Sequence, residues 1–72
     1  MKNSNTIKTI KNIVENEQHE EIHGVIVDLF TASKILQVYN ALRPDSQQKM
    51  NESMNDSKGL VRMARICFDL TN

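Results

Sequence analysis

Residues 22–35, IHGVIVDLFTASKI, decide the fold, because within fourteen positions the pattern changes from strand to helix. Val25, Ile26 and Val27 are consecutive β-branched residues, which fit a pleated surface better than a helix. A His23-Gly24 pair precedes them, and glycine takes a positive φ without steric cost, so a two-residue turn is expected there. Histidine is a poorer first turn residue than asparagine or aspartate. The expected hairpin pairs Glu20–Ile22 with Val25–Asp28, and the strand continues to Leu29. Alternation puts Ile22 and Ile26, with Asp28, on one face, and Val25, Val27 and Leu29 on the other, so both faces call for cover.

Thr31 is read as the N-cap of the following helix, in which Ile35, Val38, Tyr39 and Leu42 recur at helical spacing and Leu36 widens the stripe. Asp28 is read as a capping or turn residue whose carboxylate accepts hydrogen bonds from free amides of that helix start. Arg43-Pro44 ends the helix, since proline disfavours helical geometry at the residue before it. Pro44 then opens another helix, with Met50 and Met54 on one face. Within Asn55-Asp56-Ser57, either Asp56 or Ser57 caps a last helix whose apolar set runs from Leu60 and Val61 through Cys67 to Leu70. That set covers more than half the circumference, which predicts the most buried element, and Gly59 weakens its start.

Upstream, Ile7, Ile10, Ile13 and Val14 form one stripe of an amphipathic helix from Asn5 to about Gln18, capped by Asn5 or Thr6. Residues 1–5 are expected to fray. The order is an N-terminal helix, a β-hairpin and three short helices: an α+β fold, mostly helical, in one domain over residues 1–72.

A chain of 72 residues hides only about 60% of the surface its unfolded form exposes, so its core is marginal alone. A two-stranded ribbon is itself marginal in water and offers unpaired peptide groups at its edge. These two facts predict a homo-oligomer, a dimer through the hairpin edge, with Ile22, Val25, Ile26, Val27 and Leu29 as the candidate interface.

Nine basic and nine acidic residues cancel, which removes the drive of a protein that coats nucleic acid. Lys58, Arg62 and Arg65 nevertheless repeat at four and three, forming a basic stripe that meets phosphates or an acidic partner, including the acidic run Glu15 to Glu21. A helix-turn-helix over Thr31–Met54 would use PDSQQKMNESM for recognition, with Gln47, Gln48 and Asn51 toward base edges, but that helix carries no net positive charge. Nucleic acid is the weaker alternative.

Catalytic chemistry finds little support. His19 and His23 lie about 13 Å apart if extended, at about 3.3 Å per residue, too far to share a metal ion. The acidic residues sit in a polar segment that does not raise a carboxyl pKa. Cys67 falls on an apolar stripe, where a thiol behaves as a small hydrophobe. There is no phosphate-binding glycine loop, nucleophile elbow or paired-cysteine zinc spacing. A non-enzymatic interaction module without cofactor is the expectation. The single cysteine and the absence of a signal-like apolar run in residues 1–18 point to a cytoplasmic protein, and no apolar run approaches the roughly 18 residues of a membrane span.

The pattern G-V-x-V-D-L-F-T-A-S-x-I-L-x-V-Y-x-A-L-x-P, Gly24 to Pro44, resembles a segment of small uncharacterised proteins of T-even-like marine myoviruses, and GLVRMARICFDL, Gly59 to Leu70, is similar to how such proteins end. Together they cover about half the chain. The resemblance implies a phage accessory protein acting in the host cytoplasm by binding other proteins or assembling, and it assigns no residue a role.

Overall fold

A computed structural model describes residues 6–71. Its order is α1 (Thr6–Asn16), β1 (Glu20–Ile22), β2 (Val25–Val27), α2 (Leu29–Ala41), α3 (Pro44–Ser53) and α4 (Ser57–Thr71). This is the expected α+β arrangement, dominated by helix, with the hairpin inserted after the first helix.

Helix α1 forms because Ile7, Ile10 and Ile13 recur on one face, and all three are buried. The proposed cap Asn5 lies outside the described residues. Thr6 belongs to the helix itself, and its hydroxyl donates to the carbonyl of Met54 at 3.0 Å. A hydroxyl has one proton, so at its 3.0 Å contact with His23 the imidazole Nε2–H is the donor. One buried threonine thus ties the start of α1 to the hairpin tip and to the end of α3. Asn51 adds a second tie, its side-chain carbonyl accepting the Ile7 amide at 3.0 Å.

The end of α1 has a specific device. Glu17 is left-handed, with φ 56°, and the Gln18 amide reaches back to the Ile13 carbonyl at 3.2 Å. That is the six-to-one bond of a Schellman cap, with Glu17 at the position where glycine is favoured. Glu17 is exposed. Glu17→Gly is therefore expected to stabilise the protein by about 1 kcal/mol, because the β-carbon strain of a left-handed residue is removed. Urea denaturation monitored by circular dichroism reads this directly, and a loss of stability would contradict the cap.

The hairpin pairs antiparallel as Glu20 with Val27, Glu21 with Ile26 and Ile22 with Val25. His23 and Gly24 have φ of 52° and 81°, the two positive values that a type I′ turn requires. This register corrects the sequence reading of the faces. Across a two-residue turn the flanking residues oppose each other, so Ile22 shares a face with Val25 and Val27, and Ile26 shares the opposite face with Glu21. The hairpin buries one face only.

The strand also ends earlier than expected, at Val27 rather than Leu29. Asp28 is the N-cap of α2: its carboxylate accepts from the Thr31 amide at 2.8 Å and its carbonyl accepts from Ala32 at 2.9 Å. The helix therefore starts at Leu29, and Thr31, read from the sequence as the cap, is three residues past the actual cap. The Thr31 amide bond holds the Asp28 carboxyl below its usual pKa. With the folded value lowered, the cap contributes fully above the ordinary aspartate range near 3.8, and its contribution disappears as pH falls through the lowered value. Asp28→Ala is expected to cost about 1 kcal/mol at neutral pH. The difference from the parent should shrink below pH 4 (roughly), where protonation disables the parent's cap too; a difference that persists there would contradict it.

Helix α2 is central, packing against both α1 and α4. Pro44 sits in the first turn of α3, and Met50 and Met54 are both buried, as their spacing predicts. Asp56 caps α4 by accepting the Gly59 amide at 2.7 Å. One contiguous cluster, including Ile10, Ile13, Val27, Ile35, Met54, Leu60 and Cys67, forms the core. Helix α4 is not the most buried element: only Leu60 and Cys67 of it are buried, while Val61, Ile66 and Leu70 are exposed. Its apolar set is wider than the single helix face that α2 and α3 cover.

Candidate functional site

The register determines what the hairpin offers at its edges. In a ladder closed by a two-residue turn the flanking pair, Ile22 and Val25, exchanges both hydrogen bonds, and bonded and unbonded pairs then alternate. Glu21 and Ile26 form the unbonded pair, so their peptide groups point away from the partner strand. Glu21 supplies the outward N–H and C=O of β1, and Ile26 those of β2.

The two edges differ in chemistry. The β1 edge is EEI, with Glu20 and Glu21 exposed, and charges of this kind discourage another strand from pairing. The β2 edge is VIV and carries no charge, and Ile26 is 64% exposed. Beside β2 runs an apolar groove of about 370 Å³, walled by that strand, by Thr31 and Ile35 of α2, and by Val61, Ala64 and Phe68 of α4. Arg65 and Asp69 stand at its polar rim.

Phe30, 62% exposed, adds to the same surface, its ring 5.5 Å from that of Phe68 and tilted by 46°. The Lys34 ammonium lies 5.3 Å from the Phe30 centroid, within cation–π range. Phe30 belongs to the surface because α2 begins at Leu29, which sets it about 140° around the helix from Ile35. Placing it in advance requires starting the helix three residues earlier, and Asp28 is the signal for that.

The five residues expected at an interface differ in burial within the single chain. Ile22 and Val27 are buried in the chain's own core, Val25 is half-buried, and Ile26 and Leu29 remain exposed. Ile22 and Val27 are therefore corrected to core residues, and Ile26 becomes the centre of the surface.

The predicted basic residues do come together. Lys58, Arg62 and Arg65 are all exposed on α4, on the side opposite the buried Leu60 and Cys67, around a shallow groove of about 450 Å³ that also includes Ser57 and Val61. Among the described residues none of the three is ion-paired, so the pairing with Glu15 to Glu21 within the chain does not occur.

The remaining candidates are structural. His19 and the glutamates from Glu15 to Glu21 are exposed, and no group of three or more potential metal ligands exists among the described residues. Cys67 is buried, and desolvation pushes its thiol pKa up, which keeps it protonated and a weak nucleophile. Of the side chains proposed for recognition on α3, Gln47 donates to the Tyr39 carbonyl at 2.8 Å and Asn51 holds Ile7, while exposed Gln48 donates along the helix to Glu52 at 3.3 Å. No helix among the described residues is long and apolar enough to cross a membrane. In comparisons with known proteins, no family model matches the chain, and neither a curated protein nor a solved structure matches it.

Proposed function

We propose that this chain is a small non-enzymatic interaction module that forms a homodimer through the β2 edge. The observation that carries the reading is the contrast between the two edges of one hairpin: β1 guarded by Glu20 and Glu21, β2 unguarded and opening onto an apolar groove. An edge left without charge, bulge or cover is where another strand adds.

The symmetric solution is antiparallel pairing of β2 with β2 about Ile26, whose outward N–H and C=O would bond those of Ile26 in the second copy. Two hairpins then make one four-stranded sheet, which answers the marginal stability of each ribbon alone. Exposed Phe30 and Val61 supply apolar area beside the strand. Pairing through β1 would instead set Glu21 against Glu21, and like charges directly opposite destabilise a sheet. The resemblance of Gly24 to Pro44 to small myovirus proteins supports an accessory role in phage infection, in the host cytoplasm.

The test is the mass in solution. Light scattering on the parent at micromolar concentrations should give two chains, and Ile26→Lys should give one chain with an unchanged helical spectrum, since Ile26 contributes little to the monomer core. A parent mass of one chain would end the reading.

A further inference from the structure

We infer that α3 and α4 form a helix-turn-helix in which α4 lies in the major groove of duplex DNA, its Lys58, Arg62 and Arg65 contacting phosphates. Helix α3 is anchored by buried Met50 and by the side chains of Gln47 and Asn51, which are bonded to other elements of the chain. Three residues, Met54 to Asp56, connect it to α4, the turn length of this motif. The register of the sequence reading shifts by one helix: α4 carries three exposed cations, whereas α3 carries one, Lys49.

Four features of α4 fit a nucleic-acid backbone. The three cations are exposed on the outward face and unpaired among the described residues, and together they span seven positions, about 10 Å at about 1.5 Å per residue. Arginine forks match phosphate oxygens two at a time. Ser57, exposed at the first position of the helix, adds a hydroxyl donor. A helix about 10 to 12 Å across enters a groove about 12 Å wide.

A stripe of like charge on one helix face gives a local field that a zero total hides. Across residues 44–71 Asp45, Glu52, Asp56 and Asp69 balance Lys49, Lys58, Arg62 and Arg65, so the attraction rests on the outward stripe of α4 and not on a net charge. This balance limits affinity, so binding should be modest and steeply dependent on salt.

The experiment is fluorescence anisotropy of the full chain with a labelled mixed-sequence duplex of about 20 base pairs, titrated across monovalent salt from about 20 to 150 mM. Three phosphate contacts per chain predict that log K falls with log salt at a slope of about 2.7 per chain. The double variant Lys58→Gln, Arg62→Gln spares Arg65, which also borders the groove beside β2. It should weaken binding at least tenfold (roughly) and reduce the slope to about 0.9, with an unchanged melting curve. Absence of binding at the lowest salt, or undiminished binding by the double variant, overturns the inference. Binding of polyglutamate in place of DNA, lost in the same variant, also overturns it and assigns the face to an acidic protein. The slope per chain does not depend on the dimer, so Ile26→Lys measured in parallel separates failure of one proposal from failure of the other.

Discussion

Gly59→Ala is expected to destabilise the protein by about 3 kcal/mol, the upper end of what overpacking costs and a large share of the stability of so small a domain. A β-carbon at this position would overlap the Ser53 carbonyl oxygen, and it would stand 3.0 Å from the Ser53 carbonyl carbon and 3.1 Å from the Asp56 carboxylate. The nearest obstacle is backbone, which cannot swing aside as a side chain can. The cap adds to the constraint, since the Gly59 amide donates to Asp56 and fixes the first turn of α4 against the end of α3. Helix propensity alone predicts the opposite sign: alanine for an interior glycine gains about 1 kcal/mol. The two mechanisms thus differ in direction as well as size. A urea midpoint lower than that of the parent supports the close approach of α3 and α4, and a higher one refutes it. Because Gly59 sets how α4 leaves the turn, the geometry of the basic face depends on it as well.

The same residue illustrates what the sequence makes legible. Read along the chain, Gly59 is a weak point in a helix, because propensity is local and the Ser53 carbonyl is brought close only by the turn. Element order and type were readable for the converse reason. β-branched Val25 to Val27, the His23-Gly24 turn, the apolar spacing of α1 and α2, and Pro44 are each local signals, and they agree with one another. The errors are errors of phase. Ile22 was placed with Ile26 by continuing the alternation through the turn, whereas a two-residue turn restarts it with Ile22 opposite Val25. Asp28 and Thr31 both read as capping residues, and the structure uses Asp28, so the helix starts before Phe30 and not after it. The expected interface set therefore includes Ile22 and Val27, which the fold buries in its own core. The basic stripe fared better, because helical spacing alone puts Lys58, Arg62 and Arg65 together, whatever α4 packs against.

Ile35→Ala and Ile26→Ala delete the same atoms from two positions of the segment that decides the fold, and their costs are expected to differ by several fold. Ile35 is fully buried in the central helix, so its loss removes transfer free energy and leaves a cavity, together about 2 to 5 kcal/mol. A domain of this length has only about 4 to 11 kcal/mol in total, so Ile35→Ala should remove a large part of its stability and lower its melting temperature markedly. Ile26 is 64% exposed, and in a single chain its truncation should cost less than about 0.5 kcal/mol. If two chains pair through β2, however, the parent's melting temperature rises with protein concentration, because the partner binds only the folded form. Ile26→Ala should flatten that dependence while leaving the dilute-limit melting temperature almost unchanged, whereas Ile35→Ala should lower melting at every concentration. Equal losses at the two positions would mean that Ile26 is packed inside the chain, with the hairpin faces reversed. A small loss at Ile26 with no concentration dependence in the parent would keep the fold and remove the dimer. The pair of measurements thus separates the register of the hairpin from the use made of its edge.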